Sequence, residues 1–147
     1  MSNTISIKEY QAMLNKEKVK KGTPEHDQQV KVFEWANIMS AKTPLLKLLM
    51  AIPNGAYYGG HWSVANKMKS EGVKSGVPDI FLPVIRKTVD GIDGGLWIEM
   101  KSGKNKPTPQ QEWWMLNLQN CGYQVRVCYS AEEAIDEIAD YLSLAQE

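Results

Sequence analysis

Apolar positions along this chain follow two rhythms, one of three to four residues and one of two. The longer rhythm runs through EHDQQVKVFEWANIM, where Val30, Phe33 and Ala36 recur at helical spacing, so one side of a helix packs on a core. Thr23 as N-cap, Pro24 at the first helical position and Glu25 in the first turn mark where it starts. LLKLLMAIP ends in an apolar run that reads as a buried strand, stopped by Pro53 and the turn at Asn54–Gly55. GAYYGGHW then reads as a mobile loop, and SVANKMKSEG as a short helix closed by Gly72. The shorter rhythm appears in DIFLPVI (79–85) and GLWIEMK (95–101), two strands joined by a polar stretch with Asp-Gly and Gly-Gly turn signals. TPQQEWWMLNLQNCG returns to helix, with Thr108 as N-cap, Pro109 at N1 and Gly122 just past the end. YQVRVCY alternates as a strand, and Ser130 with Glu133 forms a capping box that opens a last helix.

The order is helix, strand, helix, strand, strand, helix, strand, helix. It predicts an α/β fold with a small mixed central sheet flanked by helices. The crossover through 109–120 predicts one parallel strand pair. The N-terminal TISIKEYQAML has helical character but a thin apolar stripe, which suggests an arm over 1–22 before a domain at 23–147.

Composition narrows the class. The 147 residues, 43% hydrophobic and 23% charged, suit one globular domain that buries a core without staples. No run approaches the ~18 apolar residues of a membrane span, so no membrane partner is expected. The N-terminus lacks a secretory pattern. Cys121 and Cys128 have no C-x-x-C and no neighbouring His, which fits reduced thiols and a cytoplasmic location. The formal net charge of zero gives no global argument for nucleic acid. Lysines nevertheless cluster at 15–22, 66–76 and 101–106, and local basic patches neutralise phosphates whatever the sum. Taken alone, the first cluster is equally a solvated surface.

Strand alternation then places charge. In LWIEMK, Leu96, Ile98 and Met100 point one way, and Trp97, Glu99 and Lys101 the other. If 79–85 and 95–101 pair as a hairpin, the start of the first lies beside the end of the second, and Asp79 meets Glu99 and Lys101. Pro78 holds the chain extended as it enters that strand. Two carboxylates and an ammonium at one spot suit Mg²⁺ or Mn²⁺ and a phosphate substrate, with the lysine orienting or deprotonating water or stabilising developing charge. The competing reading is a surface Asp beside an E-x-K pair that stabilises a sheet face.

GVPD followed by IEMK, after a strand and a hairpin, resembles the PD-(D/E)XK nuclease superfamily and, more narrowly, the VRR-NUC family of compact phage and bacterial nuclease domains. EHDQQVKVFEWA is similar to that family's opening helix, IPNG to its next strand, and TPQQEWWMLNLQNCGYQVRVCYSAEEAI to its Q-x-x-W helix and following strand. The similarity runs over roughly 24–142. The resemblance implies a restriction-endonuclease-like core. Asp79, Glu99 and the Met100 carbonyl would be metal ligands, Lys101 the catalytic lysine, and Glu25 would reach the site from the first helix. Gln111 would lie beside the lysine with Trp114 beneath it. Local readings compete at two of these: Glu25 complements a helix dipole, and Thr108 with Gln111 forms a T-x-x-Q capping box. Trp113 and Trp114 read as packing residues. Lys74, Lys104 and Lys106 are candidate phosphate contacts, as is Asn54, which a turn explains equally well. The resemblance further implies a homodimer acting on flapped, branched or Holliday-junction DNA in a phage or its bacterial host. Two other classes stay open: a non-catalytic nucleic-acid-binding module on the same fold, and a structural protein with a charged sheet face.

Overall fold

Alternation along the central strand sets the architecture. The computed structural model describes Lys8 and residues 25–53 and 62–143. Thr23, Pro24, Asn54, the GAYYGGH stretch and the 1–22 arm apart from Lys8 lie outside the described residues. The elements are α1 (Glu25–Met39), a 3-10 turn (Pro44–Leu48), β1 (Met50–Ala51), α2 (Trp62–Ser70), β2 (Ile80–Leu82), β3 (Arg86–Thr88), β4 (Gly91–Asp93), β5 (Leu96–Met100), α3 (Pro109–Asn120), β6 (Gln124–Cys128) and α4 (Ala131–Tyr141). The main sheet has the order β1-β2-β5-β6. β5 pairs antiparallel with β2 and parallel with β6, as the α3 crossover predicts.

Leu96, Ile98 and Met100 of β5, Ile80 and Leu82 of β2, and Cys128 of β6 form one apolar sheet face. Val32, Trp35, Ala36 and Met39 of α1 and Ala134, Ile135 and Ile138 of α4 complete this core. Each buried aliphatic side chain stabilises the fold by roughly 1.5–3 kcal/mol. A polar bond also crosses this layer: buried Gln28 of α1 accepts from the Ala131 backbone N–H at 2.8 Å and so caps α4. The predicted box at Ser130 is split. Ser130 accepts from the Glu133 N–H, but the Glu133 carboxylate accepts from Tyr129 N–H instead. Both cysteines are free; burial, then the charges of Glu137 and Glu133, push the Cys128 thiol up to about 12.

Two strands differ from the sequence reading. LLKLLMAIP is not a buried strand. Leu46 and Leu49 supply its burial from the 3-10 turn and just after it, and β1 is a two-residue edge strand with both residues exposed. The 79–85 strand ends at Leu82, before Pro83, which has no N–H for a ladder. The polar connection beyond it forms its own hairpin, β3–β4, in which Arg86 stands opposite Asp93. On the other sheet face Phe81 stacks on Trp97 at 4.1 Å, with Tyr123 edge-on to both. α3 packs against β6 without one fully buried residue. Among the described residues no helix is long and apolar enough to cross a membrane.

Candidate active site

The β2–β5 register pairs Ile80 with Ile98. One step further it sets Asp79 opposite Glu99, on the sheet face that carries Trp97 and not the α1–α4 core. The Asp79 carboxylate accepts from the Met100 backbone N–H at 2.8 Å, and its carbonyl accepts from Ile52 N–H at 2.8 Å.

Glu99 is 1% exposed and Lys101 7%, far more enclosed than a decorated sheet face requires. Lys101 Nζ lies 3.3 Å from Glu99 Oε1. The same oxygen accepts from Gln111 Nε2 at 2.9 Å. Glu99 Oε2 is buried without a hydrogen-bond partner. A buried carboxylate with an unengaged oxygen is costly as an anion. Burial accordingly raises the Glu99 carboxyl to about 7, helped by the charges of Asp79 and Glu25 and opposed by Lys101. A cation at this position would reverse that balance, and hard oxygen donors suit Mg²⁺ or Mn²⁺. Among the described residues no three His, Cys, Asp or Glu side chains form a ready ion cluster. The residues that could hold an ion here are those the family resemblance implies, the Asp79 and Glu99 carboxylates with the Met100 carbonyl.

Gln111 completes the capping box that its sequence context suggested and also reaches Glu99. Its backbone N–H donates to Thr108 Oγ1 at 3.3 Å, and its side-chain oxygen accepts from Thr108 N–H at 2.9 Å, completing the capping box. Its amide nitrogen remains for Glu99. One planar amide thus caps α3 and fixes the carboxylate. Glu25 stands half-buried in the first turn of α1, and its charge is the weakest of those raising Glu99. Lys74 is exposed on the loop leading to Asp79, and Lys104 and Lys106 are exposed on the loop between Lys101 and α3. Asn54 lies outside the described residues. Trp113 is 58% exposed and packs only edge-on against half-buried Trp114, at 5.4 Å between ring centroids. Adjacent helical residues face about 100° apart, and the sequence alone does not tell which of the two turns inward.

A family model for the VRR-NUC domain matches residues 59–132. That span contains Asp79, Glu99, Lys101 and Gln111 and leaves out Glu25. A solved structure of a VRR_NUC domain protein is similar at a TM-score of 0.66 and 27% identity, over 86% of this chain and 94% of that one. Comparison with curated proteins gives no match.

Proposed function

The chain belongs to the VRR-NUC family of nuclease domains, and on that premise we propose that it is a divalent-metal-dependent endonuclease that hydrolyses DNA phosphodiester bonds. The observation that carries this reading is buried Glu99, with one oxygen held by Gln111 and Lys101 and the other unengaged, beside Asp79. Asp79, Glu99 and the Met100 carbonyl would hold Mg²⁺ or Mn²⁺, which supplies Lewis-acid polarisation of the scissile phosphate. The chain's own groups do the rest. The Met100 N–H fixes the Asp79 carboxylate. Gln111 fixes Glu99 and leaves its second oxygen open. Lys101, held beside Glu99 in a site shielded from water, orients the attacking water and stabilises negative charge that builds on the phosphoryl oxygens. Lys74, Lys104 and Lys106 contact backbone phosphates and carry no sequence code. Family likeness supports selectivity for flaps or Holliday junctions by a homodimer, whose two-fold axis would present two sites to opposite strands.

The test is a cleavage assay with labelled single-strand, duplex, flap and four-way-junction DNA, with Mg²⁺ or Mn²⁺ and with chelator. The wild type cuts branched DNA only with metal, and Lys101→Ala loses about 10²–10³-fold in rate. Equal cleavage by both proteins contradicts the mechanism. Binding without cleavage by either would mark a non-catalytic binding module.

A further inference from the structure

We propose that Trp114 is a positioning residue for Asp79, acting through the loop that delivers the aspartate to the site. The loop between α2 and β2 enters the sheet ladder only at Ile80. Four residues before Asp79, the Ser75 carbonyl accepts from Trp114 Nε1 at 3.1 Å. The next residue, Gly76, has φ +86°, where L side chains are strained. A Cβ there would stand 2.9 Å from Gln110 Cγ and 3.1 Å from Trp114 Cδ1, so the loop backbone lies directly against the first turns of α3. Val77 and Pro78, which follow, are buried.

The same helix holds the other carboxylate. Gln111 and Trp114 are three residues apart and share a helix face, with Gln111 reaching Glu99 on β5 and Trp114 reaching Ser75 on the Asp79 loop. α3 therefore joins the two carboxylate-bearing segments into one body. It does so with few buried contacts of its own, which places the weight on these two polar bonds and on the Gly76 seat. The indole N–H is the specific element, since any large ring fills the space, but only a donor engages the carbonyl.

The consequence for catalysis rests on the nuclease reading; the geometry does not, so the decisive readout uses neither metal nor DNA. Met100 N–H donates to the Asp79 carboxylate, and its hydrogen exchange reports whether Asp79 is in place. Trp114→Phe keeps the ring and removes the N–H. In the full chain, the Met100 amide should then exchange about tenfold faster. Ile98, paired with Ile80, and Lys101 N–H, bonded to Cys128 O, should keep their rates. Gly76→Ala should give the same pattern by displacing the loop from the other side. Trp113→Phe, altering the exposed neighbour, should change nothing. An unchanged Met100 rate in Trp114→Phe, acceleration of all three amides together, or the same effect from Trp113→Phe overturns the proposal. In cleavage, Trp114→Phe should raise the half-saturating Mg²⁺ concentration several-fold at unchanged KM for DNA, as expected when a group that orients a metal ligand is lost. A wild type that does not cleave refutes the nuclease reading and leaves the exchange result to decide on Trp114.

Discussion

Arg86 and Asp93 close the β3–β4 hairpin at 2.8 Å, and Lys101 and Glu99 meet in the candidate site at 3.3 Å. Each pair joins a cation to a carboxylate at the end of a strand, yet their surroundings give them opposite chemistry. Asp93 has both oxygens engaged, one by Nε and Nη2 of Arg86 and the other by Gln124. Arg86 also lies over the Tyr141 ring at 4.2 Å, and the Tyr141 hydroxyl donates to the Val84 carbonyl. The Gln124 bond, then Arg86, hold the Asp93 carboxyl below its ordinary value against the opposing effect of burial. Glu99 is held at one oxygen only, and burial raises it to about 7. A carboxylate with both oxygens engaged is a latch. One buried with an oxygen unengaged has room for a cation, the role proposed for Glu99.

The two pairs also respond to pH in opposite senses. Asp93 is depressed in the fold, so its contribution is complete above the ordinary carboxylate value and is lost as pH falls through the folded one. Glu99 is raised. Between 4.5 and about 7 the folded metal-free protein keeps a proton that the unfolded chain has released, so stability declines as pH rises through that window.

The largest expected effect comes from Glu99→Gln. Cleavage should fall about 10²–10³-fold, yet the metal-free variant should be more stable than wild type at pH 8 by about 3 kcal/mol, the two converging near pH 5. Urea unfolding at both pH values measures this, and equal stability at pH 8 would remove the contrast between the pairs. Gln111→Ala should come next. It leaves Glu99 Oε1 to Lys101 alone and should weaken Mn²⁺ binding about 10–100-fold, read by calorimetric titration. Asp93→Ala should have the smallest effect. It should cost about 1 kcal/mol at neutral pH, less in acid, and leave cleavage unchanged. A loss of cleavage there would show that the hairpin latch belongs to the site.

Much of the site is legible in two short stretches because strand geometry is local. LWIEMK alternates and VPDI precedes its antiparallel partner, which predicts that Asp79, Glu99 and Lys101 meet; in the structure Lys101 pairs with Glu99, and the Asp79 carboxylate accepts from the Met100 N–H next to it. The capping role of Gln111 was legible in T-x-x-Q, whereas its bond to Glu99 was not. What was not legible depends on contacts remote in sequence or on elements without apolar patterning. α3 has no buried stripe, so neither the enclosure of Lys101 nor the inward turn of Trp114 and outward turn of Trp113 follows from its residues. The β3–β4 hairpin presents Val89 of its turn and Ile92 of β4 to solvent and pairs through Arg86 and Asp93 without a buried face, so no hydrophobic rhythm announces it. The Gln28–Ala131 bond spans 103 residues and has no local signature.

The proposed chemistry stands on a cation site formed by Asp79 and Glu99 with the Met100 carbonyl. Calorimetric titration of Mn²⁺ into wild type, Asp79→Asn and Lys101→Ala tests it without any DNA. Saturable binding is expected for wild type and Lys101→Ala, and binding weakened at least about a hundredfold for Asp79→Asn. Equal Mn²⁺ binding by wild type and Asp79→Asn would contradict it.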